Sequence, residues 1–249
     1  MLQAILSDIH GNLEALRAVL HDVEKMNADA VICLGDLVGY GPDPIDCTEV
    51  AMHWQVVLQG NFDHAVANPD GMAAWSGRVS KMMDRIRQRI TQHKNGEAMM
   101  NFIANLPSAH THGDALFVHG SPRDHLEEYV FPEDIYDAEK LSGVFANFDK
   151  LCFCGHTHVA GVFSKENEEW IFVNPSQCDN TFSVSDQKVL CNVGSVGQPL
   201  DGDHRACYVL FDGQTITFRR IEYDYITTAR KIRDGDDDDM HGDRLSYGR

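Results

Sequence analysis

Leu2-Gln3-Ala4-Ile5-Leu6 is a short apolar run closed by Ser7-Asp8-Ile9-His10, and Ala30-Val31-Ile32-Cys33-Leu34 is a second run closed by Gly35-Asp36. Between them Leu13, Leu16, Val19, Leu20 and Val23 recur at helical spacing, so the stretch reads as β-α-β. Gln55-Val56-Val57-Leu58-Gln59 has the composition of a third strand and runs into Gly60-Asn61. Each run ends in a polar cluster. Ligands of open α/β sheets sit outside the carboxyl ends of the strands, so the three clusters are expected to converge.

Further along, the section 65–106 reads as helical, with Met82, Met83, Ile86 and Ile90 at core spacing and Pro107 closing it. Two more apolar runs end in histidines. Ala115-Leu116-Phe117-Val118 precedes His119, and Leu151-Cys152-Phe153-Cys154 precedes Gly155-His156-Thr157-His158. From Val159 the pattern becomes short strands at 159–163, 170–173, 189–193, 206–211 and 215–221, with turns such as Asp212-Gly213, which predicts an antiparallel second sheet. Residues 234–249 form an acidic C-terminal tail. Its Asp234-Gly235-Asp236-Asp237-Asp238-Asp239 lacks the spaced ligands and closing Glu of a calcium loop and reads as a solvated acidic turn. No repeat interrupts the chain, and residues 1–249 are expected to form one domain.

A composition of 43% hydrophobic and 24% charged residues is that of a globular protein with a substantial core. No apolar run approaches the roughly 18 residues of a membrane span. Met1 to Ser7 leads straight into an acidic motif without a basic segment and cleavage site, so the expected location is cytoplasmic. The seven cysteines form no paired framework. Cys152 and Cys154 alternate with phenylalanine in a strand, the pattern of buried free thiols in a reducing compartment. A net charge of −17, from 21 basic and 38 acidic residues, makes long nucleic acid a poor partner. A small phosphorylated substrate would be repelled as well unless cations reverse the field locally, so a phosphate-handling chain this acidic needs metal at its site.

The strand-end clusters together hold Asp8, His10, Asp36, Asn61, His119, His156 and His158: two carboxylates, one amide oxygen and four imidazoles. That inventory suffices for two divalent cations if one carboxylate bridges them. Oxygen and nitrogen ligands without thiolate suit Mn, Fe, Zn, Ni or Co. On a strand, Asp8 and His10 would point the same way, as would His156 and His158. The glycines before Asp36, Asn61 and His156 let the backbone pass tightly where ligands approach.

The series Asp8-x-His10, Gly35-Asp36-x-x-Gly39, Gly60-Asn61-x-Asp63, Val118-His119-Gly120 and Gly155-His156-Thr157-His158 resembles the calcineurin-like metallophosphoesterase superfamily, most of all its compact prokaryotic phosphodiesterase branch. Asn192-Val193-Gly194-Ser195-Val196-Gly197-Gln198-Pro199 is similar to that branch's late strand-turn motif, so the resemblance runs from about residue 1 to 224. It implies an α/β fold, a four-layer α-β-β-α sandwich of two mixed sheets. It also implies one metal on Asp8, His10, Asp36 and His158 and a second on Asp36, Asn61, His119 and His156, with Asp36 as the bridge. Two cations about 3.5–4 Å apart would acidify a shared water, supply hydroxide and neutralise phosphoryl oxygens for in-line attack.

Family members that act as protein phosphatases carry Gly-Asp-x-x-Asp-Arg-Gly and Gly-Asn-His, where this chain has Gly39, Tyr40 and Phe62. The leaving-group histidine, its orienting aspartate and the phosphate-gripping arginine are all replaced. The resemblance therefore implies a phosphoric ester hydrolase acting on small phosphodiesters or dinucleoside polyphosphates. A phosphomonoesterase or phosphoprotein phosphatase is the alternative, and a metal-free scaffold of the same fold is disfavoured by the complete ligand set. His64 is either a substitute general acid, one turn beyond Asn61, or a helix-capping histidine. Tyr40 either lines the substrate pocket or packs within its loop.

Overall fold

The computed structural model describes residues 1–68, 77–184, 187–235 and 239–249. The amino-terminal part runs β1 (Gln3–Leu6), α1 (Leu13–Lys25), β2 (Ala30–Cys33), α2 (Pro44–Ala51) and β3 (Val56–Val57). The helical section contains α3 (Asn61–Ala67), α4 (Gly77–Gln92) and α5 (Gly96–Ala104). There follow β4 (Ala109–His112), β5 (Ala115–Val118), α6 (Ala138–Phe145), β6 (Leu151–Cys154), β7 (Gly161–Glu166), β8 (Glu169–Val173) and β9 (Thr181–Ser183). β10 (Val189–Asn192), β11 (Ala206–Phe211), β12 (Thr215–Ile221), α7 (Tyr225–Asp234) and α8 (Asp239–Arg244) complete the chain.

Two six-stranded mixed sheets result, in the orders β3-β2-β1-β11-β12-β9 and β4-β5-β6-β10-β7-β8. Period-two side-chain alternation sorts the apolar residues into layers. Ala4 and Leu6 of β1 face a cluster with Leu16 and Val19 of α1 and with Met83 and Ile86 of α4. Ile5 faces the opposite way, into an inter-sheet core with Phe117, Phe153, Val209 and Phe211. On the far side of the second sheet, Cys152 and Cys154 pack with Leu141, Val144 and Phe145 of α6. These three interfaces make the expected α-β-β-α sandwich. All seven cysteines are free thiols, and all but Cys178 are buried. Among the described residues no helix is long and apolar enough to cross a membrane.

The strands after Val159 do not form an antiparallel sheet of their own. β7, β8 and β10 join the second sheet, with β10 parallel to β6, whereas β11 and β12 join the first through an antiparallel pairing of β11 with β1. Every residue of β11 is buried. A strand apolar on both faces needs cover on both, which the interior of the first sheet supplies between α1 and the second sheet. Sequence periodicity misses β4 and β9, because both are short and polar. Residues 239–249 bring α8 onto α7, with Leu245 buried against Ala229 and Ile232 and the His241 ring 4.9 Å from that of Tyr40. Residues 236–238 of the acidic turn expected at Asp234–Asp239 lie outside the described residues.

Candidate metal centre

The seven residues singled out from the sequence lie beyond the carboxyl ends of β1, β2, β3, β5 and β6, and every one is buried. Asp8, His10, Asp36 and Asn61 come from the first sheet; His119, His156 and His158 come from the second. Asp8 and His10 do not share a strand, because β1 stops at Leu6, and β6 stops at Cys154 before His156 and His158. Their convergence has a different cause. Asp8, His10, Asp36, His156 and His158 all take positive φ, between 48° and 67°. This left-handed region is sparsely used by residues other than glycine, and such strain persists only where the surroundings over-determine it. Here the Asp8 N–H donates to the Gly35 carbonyl at 3.0 Å and the His10 N–H to the Asp36 carbonyl at 2.8 Å, lacing the first two ligand loops together.

Each carboxylate has one oxygen tied to a backbone amide of another ligand loop and one aimed inward. Asp8 Oδ2 accepts the His156 N–H at 3.0 Å, and Asp36 Oδ1 accepts the Phe62 N–H at 2.9 Å. The inward Asp8 Oδ1 lies 3.2 Å from His158 Nε2 and 3.8 Å from His10 Nε2. The inward Asp36 Oδ2 lies 3.6 Å from His10 Nε2 and 3.5 Å from His119 Nε2, between the two halves of the cluster. Close approach explains two of the glycines. A Cβ at Gly60 would overlap the Asp36 carboxylate, and one at Gly155 would overlap Ser7 Oγ and the Asp8 carboxylate.

The outer ring nitrogens determine what the inner ones offer. His10 Nδ1 lies 3.1 Å from the Val38 carbonyl, His158 Nδ1 2.6 Å from that of Gln198, and His156 Nε2 3.3 Å from that of Glu127. A carbonyl can only accept, so each of these nitrogens carries the proton, and the other nitrogen of the neutral ring presents a lone pair. Burial lowers the pKa of His10 well below the usual range, with His158 adding to the effect, and brings His119 to about 4 and His156 to about 3. The lone pairs of His10 Nε2 and His158 Nε2 therefore confront each other at 3.1 Å, and His119 Nε2 lies 3.2 Å from the His156 Nδ1 lone pair and 3.1 Å from Asn61 Oδ1.

Burial first, then the charges of Asp8 and Asp63, push the Asp36 pKa well above the carboxylate range. Asp8 is shifted the other way: burial raises its pKa, and a proton on the His158, His119 or His10 ring outweighs that rise. Asp8 Oδ1 has no hydrogen-bond partner. An orphaned carboxylate oxygen among facing lone pairs fits cations and little else. Two groups have the compactness to hold an ion, Asp8 with His10 and His158, and Asp36 with His119 and His156. A cavity of about 700 Å³ lies by the starts of β1, β5 and β6 and takes no part in this cluster.

The family model for the calcineurin-like phosphoesterase superfamily domain matches residues 1–215. The chain belongs to the calcineurin-like phosphoesterase superfamily. It is 32% identical to an uncharacterized protein of Methanocaldococcus jannaschii, over 99% of this chain and 98% of that one. A solved metallophosphoesterase of Sphaerobacter thermophilus superposes with a TM-score of 0.84 at 32% identity, covering 100% of this chain and 99% of the other. A hypothetical protein of Pyrococcus horikoshii OT3 shares the fold at a TM-score of 0.77 and 18% identity, covering 100% of this chain and 98% of the other. Membership supports a phosphoric ester hydrolase from a metal-dependent superfamily, and the two Asp and His groups are where such metals could bind.

The phosphatase-type aspartate has no room in this loop. Gly39 has φ +142°, and a Cβ there would collide with His10 Nδ1. Tyr40 and Phe62 pack their rings on His10, with centroids 4.8 and 5.1 Å away. His64 is half-buried on α3, its Nδ1 3.1 Å from Gln59 Oε1 and 3.3 Å from Asn68 Nδ2.

Several positioning residues escaped the sequence reading. Asn192 donates to the Gly155 carbonyl and to Thr157 Oγ1, Ser195 Oγ donates to the Asp8 carbonyl, and Gln198 fixes His158. The late motif 192–199 thus clamps ligand loops from both sheets. Asp63 accepts from the backbone N–H groups of Leu37, Val38 and Gly60 at 3.0, 3.3 and 3.1 Å, locking the Asp36 loop to the Asn61 helix. Burial pushes its carboxyl up to about 6, although these bonds pull it down. The Gly60-Asn61-x-Asp63 spacing was the available signal, without a partner to interpret it. Asp63→Ala strands three buried donors and is expected to cost about 3 kcal/mol in urea unfolding. A loss below about 1 kcal/mol would contradict the clamp.

Proposed function

We propose that this chain is a dinuclear-metal phosphoesterase hydrolysing small phosphodiesters or related anhydrides such as dinucleoside polyphosphates. One ion would be held by Asp8, His10, Asp36 and His158, the other by Asp36, Asn61, His119 and His156. The inward position of Asp36 Oδ2, within 3.6 Å of one half of the cluster and 3.5 Å of the other, supports its role as the bridge. When bound, the two cations supply neutralising charge for phosphoryl oxygens and an acidified water.

The single observation behind the diester preference is the ring cluster of His10, Tyr40 and Phe62. It occupies the flank where a phosphatase keeps its histidine, aspartate and arginine. An aromatic wall excludes water and tolerates an esterified oxygen, but offers no cation to a monoester dianion. Burial and then the Asp36 charge raise the Tyr40 pKa, so its hydroxyl stays protonated and can donate to a phosphoryl oxygen. His64 is the proposed proton donor to the leaving group, with Gln59 Oε1, 3.1 Å from Nδ1, orienting its ring.

Protein prepared with Mn should contain close to two metals per chain by elemental analysis, and Asp36→Asn should lose most of the second ion together with turnover. Full activity after thorough chelation would refute the proposal. Bis(4-nitrophenyl) phosphate should be cleaved with a higher kcat/KM than 4-nitrophenyl phosphate at equal metal loading, and the reverse order would remove the diesterase assignment. General acid catalysis contributes about 10²–10⁴-fold and matters most for basic leaving groups. His64→Gln should therefore slow alkyl diesters strongly while sparing nitrophenyl diesters; equal effects on both would exclude His64 as the acid.

A further inference from the structure

The loop between β5 and α6 carries Glu127-Glu128-Tyr129-Val130-Phe131 against the Asp and His cluster. Val130 is 2% exposed and sits in the outer core of the second sheet with Leu141 and Val144. Its neighbours on either side are presented outward, with Tyr129 44% and Phe131 41% exposed. The Tyr129 ring stacks on His156, with centroids 3.7 Å apart and planes 23° apart. Phe131 continues the layer, 5.3 Å from Tyr129 and parallel to it within 2°. Three planar rings thus run outward from a candidate metal ligand to solvent.

The platform is held rigidly. The Glu127 carbonyl binds His156 Nε2, and Arg123 Nε contacts both oxygens of Glu128 at 2.8 Å. The Phe131 N–H donates to Asp134 Oδ2 at 2.7 Å, which also accepts from Lys140 Nζ at 2.6 Å. Isolated exposed aromatics are common on protein surfaces. A parallel pair pinned by ion pairs and continuous with the His156 imidazole is preorganised for a flat ligand, so little ordering cost remains on binding.

We infer that Tyr129 and Phe131 form a stacking platform for a nucleobase, so that the phosphoryl compound taken by the adjoining cluster is a small nucleotide. This rests on the phosphoesterase reading above. Tyr129 lies 3.7 Å from the imidazole and Phe131 a further 5.3 Å from Tyr129, a span that a nucleoside di- or polyphosphate bridges when its terminal phosphate lies at the cluster. The chain's charge of −17 repels anions away from the cluster but not a neutral base, and it opposes a polynucleotide. Every base has a π-face, so the platform selects nucleotides as a class rather than one base.

The test is equilibrium binding by calorimetry to Mn-loaded protein, with adenosine 5′-(α,β-methylene)diphosphate compared with methylenediphosphonate, the same charged head without nucleoside. The nucleotide should bind roughly 5- to 100-fold more tightly, the range of base–aromatic stacking. Phe131→Ala should bring the two affinities together, and Phe131→Trp should preserve the difference. Equal affinities in the wild type, or a difference that survives Phe131→Ala, would overturn the platform. Hydrolysis of bis(4-nitrophenyl) phosphate by the same preparation reports separately on the phosphoesterase reading. Turnover without nucleotide preference removes the platform alone, and nucleotide preference without turnover removes the hydrolase alone.

Discussion

Two carboxylates and four imidazoles are buried together, and their facing lone pairs and negative charge are the constraint around which the structure is built. Buried charge is costly unless it is matched, and among the described residues Asp8 and Asp36 pair with histidines and with no Lys or Arg. Carbonyls hold the outer nitrogens of His10, His156 and His158, so their inner nitrogens are committed to facing the carboxylates. Left-handed backbone at five of the clustered residues adds strain to that electrostatic load. The loops tolerate both because they hydrogen-bond to one another rather than to solvent.

The sandwich matters because neither sheet owns the site. The first contributes both carboxylates and the second contributes three of the imidazoles, so the cluster exists only when the two sheets are packed together. The inter-sheet core of Ile5, Phe117, Phe153 and Val209 sets that packing. The segment after β10 then fastens one sheet's ligand loop to the other's, with Ser195 on Asp8 and Gln198 on His158. Core burial and site geometry are therefore coupled through a few buried hydrogen bonds whose loss would strand polar atoms.

Aromatic residues border the cluster on both sides. Tyr40 and Phe62 lean on His10, while Tyr129 lies on His156. In the proposed function the Asp and His groups carry the chemistry, and these rings would discriminate between esters. Tyr40 also touches the ring of His241, so the carboxyl-terminal helices reach the same flank.

Much of this was legible in the sequence because strand ends announce themselves locally. An apolar run followed by Asp8-x-His10 or Gly155-His156-Thr157-His158 is a short-range signal, and the seven residues so marked do converge in one buried cluster. The family and the mixed-sheet sandwich followed from that series. The reason for convergence did not, because strand parity was assumed where left-handed turns operate, and a φ angle is set by the loops that pack against it. The partition of the late strands between two sheets was equally hidden, since β11 reads as an ordinary apolar strand until β1 pairs with it. Asp63 reaches the Asp36 loop, Gln198 reaches His158, and Tyr129 covers His156 across turns and sheets that no local pattern encodes. The sequence by itself determined which side chains could hold a metal; the tertiary structure decided how they are aimed, because aim depends on contacts between residues distant along the chain.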